Sequence, residues 1–163
     1  MARKILLIED DKDILGAVVP KKELNWQLIA EAAKNGVPFT ELQRFSGSFN
    51  VNPLKNVEPP KTLMESFEVE SVGTGMMLIK KEVFEKLKEV TDSYTYSGHG
   101  ILGIEQGEKM YQYWKSGITK EGHLSGEDIN FCNMWRDLGE KVYAAAWAKT
   151  THIGSYEFSG SAI

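Results

Sequence analysis

The sequence has a single cysteine, Cys132, among its 163 residues. One cysteine excludes an intrachain disulfide, and it excludes every metal site that is built from paired cysteines. Inside a run with helical spacing, a lone cysteine is typical of a small core residue and not of a nucleophile. The composition therefore indicates a cytoplasmic protein that depends on its hydrophobic core.

Long apolar runs and an excess of positive charge are also absent. The chain has 19 lysines and arginines against 23 aspartates and glutamates, for a net charge of -4. This balance excludes the basic footprint of a nucleic-acid-binding protein, and no run is long enough to span a bilayer. The sequence contains neither HExxH nor a phosphate-binding loop with GKS or GKT. We expect no nucleic-acid partner and no membrane span.

The apolar and polar residues that are present alternate between strand and helix patterns. This alternation predicts one α/β domain over residues 1–163, with a mixed sheet flanked by helices. Asn25 caps a predicted helix whose apolar face carries Trp26, Ile29, Ala30 and Ala33. A further apolar run at 4–8 fits a strand or a helix end equally well. The predicted strands are 14–19, 67–72, 76–79 and 141–146, and the predicted helices are 26–34, 80–90 and 126–139.

Two segments show neither the helical nor the strand spacing of apolar residues. Residues 45–62 contain three prolines and predict a loop or an excursion of short edge strands. Residues 92–125 are polar, aromatic and rich in glycine, and they predict a long loop of the kind that shapes binding sites. His99 and His123 in this second segment are interpreted as loop histidines.

Several short motifs follow one another in a fixed order. The chain has Asp13 to Lys22 (DILGAVVPKK), then VGTGMMLIKKEVF from Val72, GEDINFC from Gly126, WRDLG from Trp135 and HIG from His152. Their order and spacing resemble the C-terminal, acceptor-side half of a GT-A glycosyltransferase domain. The resemblance covers roughly residues 12–158, and it is strongest to small glycosyltransferase-like proteins of bacteria and their phages. It implies the host cytoplasm as the location of the protein if the chain is phage-encoded.

The resemblance implies transfer of a sugar from a nucleotide-diphosphate sugar to a hydroxyl acceptor. A divalent cation, Mn²⁺ or Mg²⁺, would neutralise the leaving diphosphate, and a carboxylate would take the proton of the acceptor hydroxyl. On this reading Asp128 is the base, Glu127 is the second carboxylate, and His152 contacts the metal or the diphosphate. The substrate-binding residues it implies are Gly73, Thr74, Gly75 and Trp114.

Each of these residues also has an interpretation without function. Glu127 and Asp128 occupy a first helical turn, where negative charge favours the helix dipole. His152 is equally well a packed or surface histidine, the glycines fit a strand bulge, and Trp114 with Tyr111 and Tyr113 fits ordinary packing. We expect Trp135 in the core and Arg136 paired with a carboxylate.

The sequence departs from the family pattern ahead of Ile14. The family has a nucleotide-binding half there, which ends in an Asp-x-Asp pair, whereas 13 residues precede Ile14 in this sequence. Asp11-Lys12-Asp13 spells the pair, but its position indicates a solvated turn. We therefore expect a chain without the nucleotide-binding half, which is supplied by a homo-oligomer or a second chain. The alternative is a non-catalytic binding or assembly protein, for example one associated with a phage, on the same scaffold.

A second resemblance concerns the first residues. Arg3 to Asp11 (RKILLIEDD) is similar to the first strand of a response-regulator receiver domain, where an acidic pair holds Mg²⁺. Such domains need a phospho-acceptor aspartate after a later strand, and residues 14–64 contain no aspartate. We therefore interpret this stretch as a graft or an accidental likeness.

Overall fold

The protein is a mixed α/β chain, seen here in a computed structural model that describes residues 11–55, 57, 64–98 and 103–155. Several predicted features lie outside the described residues. These are the apolar run at 4–8, most of the receiver-like stretch, most of residues 56–62 in the predicted loop 45–62, and His99. The strands are β1 (Ile14–Ala17), β2 (Val51–Pro53), β3 (Ser66–Val72), β4 (Met77–Ile79), β5 (Ser93–Thr95), β6 (Lys109–Tyr111), β7 (Gly117–Ile118), β8 (Leu124–Ser125) and β9 (Val142–Ala145). The helices are α1 (Trp26–Lys34), α2 (Lys81–Leu87) and α3 (Glu127–Asp137), with 3-10 helices at Phe39–Phe45 and Thr74–Met76.

Five strands form the central sheet in the order β2, β3, β9, β1, β4. Strands β1 and β9 are parallel, and the other three pairings are antiparallel, so the predicted mixed sheet is confirmed. All four residues of β1 are buried, as expected of a strand with neighbours on both sides and an uninterrupted apolar sequence. The strands at 14–17, 66–72, 77–79 and 142–145 lie where the apolar runs predicted them.

Helix α3 packs across β3 and β9 and contacts α2, which closes the core on one face of the sheet. Its buried residues Phe131, Cys132 and Trp135 are at helical spacing, and Gly139 follows the helix with φ 86°. The predictions for Trp135 and Arg136 are confirmed. Trp135 is 1% exposed, while the Arg136 guanidinium lies 3.6 Å from the Glu68 carboxylate and donates to the Val69 carbonyl.

Gly16 in β1 lies against the side chain of Val72 in β3. A β-carbon at position 16 would overlap both γ-methyl groups of Val72, which is 2% exposed. We expect Gly16→Ala to lower the free energy of unfolding by about 1–3 kcal/mol, because the packed core leaves no room for the added methyl group. Urea denaturation of this variant, of Val72→Ala and of the double variant measures the effect. The double variant should lose less than the sum of the two single losses, and strict additivity would contradict the contact.

Two expectations need correction. Helix α1 lies over 26–34 as predicted, with the Asn25 side chain accepting a hydrogen bond from the Leu28 N–H, but Ala32 is its only buried residue. The predicted apolar face stays outside the core because α1 packs on the 3-10 helix 39–45, and Trp26 is 63% exposed. The segment 92–125 is not one long loop. Its described residues form two small antiparallel sheets, β5 with β6 and β7 with β8.

Candidate functional site at the carboxyl end of strand β1

Two segments that are distant in sequence contact the three residues after β1. The Thr150 hydroxyl donates to the Val18 carbonyl at 3.1 Å, and the Asn50 N–H donates to the Val19 carbonyl at 2.8 Å. His152 Nδ1 lies 2.9 Å from the Pro20 carbonyl oxygen. The backbone at this end of the sheet is therefore held by the segments on either side of it.

The contact with Pro20 fixes the tautomer of His152. A carbonyl oxygen has no proton to give, so Nδ1 must carry the proton of this hydrogen bond. In the neutral ring Nε2 is then an acceptor, and in the charged ring it is a second donor. In histidines that bind a ligand, one ring nitrogen often donates a hydrogen bond to a backbone carbonyl. This hydrogen bond orients the other ring nitrogen toward the ligand. His152 is exposed, so the ring is accessible from solvent.

The Gly73–Gly75 segment reaches the same end of the sheet. The Gly73 N–H donates to the Asn50 carbonyl at 2.9 Å. A β-carbon at Gly73 would overlap the side-chain amide of Asn50, and one at Gly75 would lie 3.3 Å from Val19 Cγ2. The room left by these glycines is thus filled by the protein itself, while Thr74 is exposed. The role of Gly73, Thr74 and Gly75 in substrate binding stays a prediction.

Asp128 is half-buried in the first turn of α3, and its neighbour Glu127 is exposed. The Ile129 N–H donates to Asp128 Oδ1 at 2.8 Å, so this oxygen satisfies a free N–H of the helix start. Within the described residues Oδ2 has no hydrogen-bond partner. One turn further on, the Cys132 thiol lies 3.8 Å from the Val72 carbonyl. That contact places the second turn of α3, one turn after Asp128, beside the end of β3.

The structure accounts for Cys132 as a core residue. Its side chain is fully buried, and burial above all, together with the charge of Asp128, raises the pKa of its thiol to about 11. Near neutral pH the thiol is therefore protonated and not nucleophilic.

The predicted site residues are brought together in part. Gly73–Gly75 and His152 are linked through Asn50, Val19 and Pro20, but among the described residues no contact joins Asp128 to His152. Trp114 contacts helix α3. It stacks on the buried Phe131 with ring centroids 4.2 Å apart and is 43% exposed, a position that packing alone explains. Its role in substrate binding stays a prediction.

The Asp11-Lys12-Asp13 turn is neutralised from within the chain. Lys80 Nζ lies 2.7 Å from Asp11 Oδ1 and 3.1 Å from Asp13 Oδ1. The hydrogen bond with Lys80 lowers the pKa of Asp11, and both carboxylates raise the pKa of Lys80. The Lys80 ammonium group thus occupies the position between the two carboxylates in which a cation would bind. This agrees with the interpretation of Asp11-Lys12-Asp13 as a polar turn.

The described residues do not fit the implied Mn²⁺ or Mg²⁺. No group of three histidine, cysteine, aspartate or glutamate side chains in this part of the chain is arranged to hold a metal ion. His152 contacts a backbone carbonyl and no carboxylate. The metal therefore stays a prediction, without a ligand set in the ranges that the structure describes.

A cleft of about 730 Å³ opens beside His152. Lys21 and Lys22 line it just after β1, and Trp26 and Arg44 line it from α1 and the 3-10 helix 39–45. Sequence reasoning did not single out these four residues as site residues. The available signal was the Lys-Lys pair directly after a buried strand, since side chains at strand ends tend to line binding sites in α/β proteins.

Comparisons with protein-family models, curated proteins and solved structures find no match to the chain. In the ranges that the structure covers, no helix has the length and apolar character needed to cross a bilayer.

Proposed function

We propose that this chain contributes the acceptor side of a glycosyl-transfer site, which moves a sugar from a nucleotide-diphosphate sugar to a hydroxyl group. One observation carries the proposal: Gly73–Gly75 and His152 converge on the end of β1, and the turn of α3 that follows Asp128 lies against the end of β3 through Cys132. The motifs that resemble the transferase family thus lie at neighbouring places in the fold, although they are far apart in sequence.

The chemistry of the proposal needs one base and one contact for the leaving group. Asp128 takes the proton of the acceptor hydroxyl through Oδ2, because Oδ1 is already bound by the Ile129 N–H. The acceptor oxygen forms a bond to the anomeric carbon while the bond from that carbon to the diphosphate oxygen breaks. His152 Nε2 contacts the departing diphosphate, and Glu127 orients the neighbouring carboxylate. No step is assigned to a metal ion, because the described residues supply no ligand set.

Binding and turnover of nucleotide sugars test this function. With a panel of nucleotide-diphosphate sugars, each with and without Mn²⁺, we expect one donor to raise the melting temperature. At a donor concentration of 100 times Kd the stabilisation is about 2.7 kcal/mol, which is readily measured. The same donor should release its nucleoside diphosphate in the presence of a hydroxyl acceptor. Absence of both a melting shift and diphosphate release across the panel would remove the transferase proposal for this chain.

A second candidate is a non-catalytic binding or assembly protein on the same scaffold. It is favoured by Lys80, which neutralises Asp11 and Asp13, and by exposed apolar side chains around α1 such as Leu28 and Phe39. Under this reading the protein self-associates or binds a second chain, as the sequence predicted. Sedimentation at several concentrations distinguishes a self-associating scaffold from a monomer, independently of any turnover.

A further inference from the structure

The cleft beside His152 has an aromatic wall. Trp26 is 63% exposed at the first position of α1, and Phe49, which also lines the cleft, is 46% exposed. The segment that carries Trp26 is held in place, because the Asn25 N–H donates to the Ser46 carbonyl at 2.7 Å and the Asn25 side chain caps the helix. An exposed indole ring on an anchored helix start is a platform on which the C–H face of a sugar ring packs.

The same cleft is basic although the chain is acidic. Lys21, Lys22 and Arg44 line it, while the whole chain has a net charge of -4. Arg44 is paired with Glu41 at 3.1 Å, so the unpaired positive charge of the lining comes from the two lysines. Within the described residues no carboxylate lies within 4.0 Å of the Lys21 or Lys22 ammonium group, and Glu23 interacts with Lys21 only over a longer distance. The one lining carboxylate, Glu23, accepts hydrogen bonds from the N–H and the hydroxyl of Ser48, which lower its pKa and occupy it. The lysine charges are therefore available to an anionic ligand.

The stem of Lys22 lies beside Gly154. A β-carbon at position 154 would lie 2.9 Å from Lys22 Cδ, so the lysine stem passes close to the backbone here. Lys22 is therefore next to the segment that carries His152.

We propose that this cleft binds an acidic saccharide, with a sugar ring on Trp26 and its phosphate or carboxylate group held by Lys21 and Lys22. A volume of about 730 Å³ is in the range of pockets that enclose a ligand of this size. Describing this saccharide as the acceptor of the reaction rests on the transfer function proposed above. Its binding in the cleft does not depend on that function.

Titrations with small probes test the site. Glucose 6-phosphate and glucuronic acid represent the two anionic groups, glucose is the neutral control, and UDP is the nucleotide control. We expect both acidic sugars to bind at least about tenfold more tightly than glucose at low salt, with a preference that weakens as salt is added. Binding is followed by calorimetry and by NMR shifts of the tryptophan side-chain N–H signals.

Matched variants assign the contacts. Trp26→Ala should weaken every saccharide roughly two- to tenfold, with Trp26→Phe retaining part of the affinity. The double variant Lys21→Gln, Lys22→Gln should bring the acidic-to-neutral preference close to one. Phe39→Ala and Lys34→Gln are the controls, since both residues are exposed, belong to the same part of the chain and do not line the cleft. Both controls should bind all probes as the parent protein does.

Three results would overturn the proposal. One is equal affinity for glucose and the acidic sugars, and another is unchanged affinity in the cleft variants. The third is binding of UDP alone that responds to these variants, which would assign the cleft to a nucleotide. Asp128→Asn separates this inference from the transfer function. If acidic sugars still bind this variant, the saccharide site in the cleft is supported. If the parent protein also turns over no donor, the proposed transfer function is excluded while the saccharide site stands.

Discussion

Trp135→Ala is expected to lower the free energy of unfolding by about 3–5 kcal/mol. The side chain is 1% exposed in the main core, its indole N–H donates to the Lys141 carbonyl at 3.2 Å, and the Lys86 ammonium lies 5.3 Å from its ring. Truncation therefore removes a large buried apolar area and leaves a cavity. The free energy of unfolding of small domains is about 5–15 kcal/mol, so this single change approaches the whole stability of a fold at the lower end of that range.

Urea denaturation followed by circular dichroism measures this loss, and Trp26→Ala provides the matched control. Trp26 is 63% exposed, so the same substitution there should change the free energy of unfolding by no more than about 0.5 kcal/mol. Similar losses at the two positions would mean that α3 does not pack as described. Trp135→Phe keeps most of the buried volume and should fall between the parent protein and Trp135→Ala.

Asp128→Asn is expected to reduce kcat/KM of the proposed transfer by about 10²–10⁴-fold without weakening donor binding. The amide has nearly the shape of the carboxylate and still offers an oxygen to the Ile129 N–H, but it cannot take up a proton at neutral pH. The effect should therefore lie in the chemical step. Steady-state release of nucleoside diphosphate gives the rate, and the donor-induced melting shift gives the binding.

Asp137→Asn is the control for this result. Asp137 ends the same helix, is exposed and pairs with Lys120, so it shares the substitution and the helix but not the location. Its turnover should match that of the parent protein. Glu127→Gln should fall between the two variants, since Glu127 is assigned an orienting role. An Asp128→Asn enzyme within twofold of the parent would exclude Asp128 as the base.

Elements whose determinants are local were predictable from the sequence. Helix α1 has its cap in Asn25, α3 ends where Gly139 follows, and β1 and β9 are short apolar runs. The short strands within 92–125 were missed. Strands of two or three residues are too short to show an alternation of apolar and polar residues, and they form only because a partner strand pairs with them. The exposure of Trp26 was missed for a related reason, since an apolar helix face does not tell which neighbour covers it.

The candidate site was predictable in its residue types but not in its contacts. The hydrogen bond between His152 and Pro20 spans 132 residues, and the binding of Lys80 to Asp11 spans 69. Nor does the sequence indicate that the Asn50 amide fills the room beside Gly73. Each of these contacts is set by how distant segments dock, which is a property of the packed fold and not of local propensity.

The arrangement around β1 also constrains how the protein folds during its synthesis. Strand β1 pairs on one side with β4, but its other neighbour, the parallel strand β9, is made much later. Until the ribosome has released residues 142–152, one edge of strand β1 is unpaired. The segment that contains His152 and lines the cleft is then also missing. Such long-range parallel pairing is slow to form, so the nascent chain is most vulnerable to aggregation in this interval.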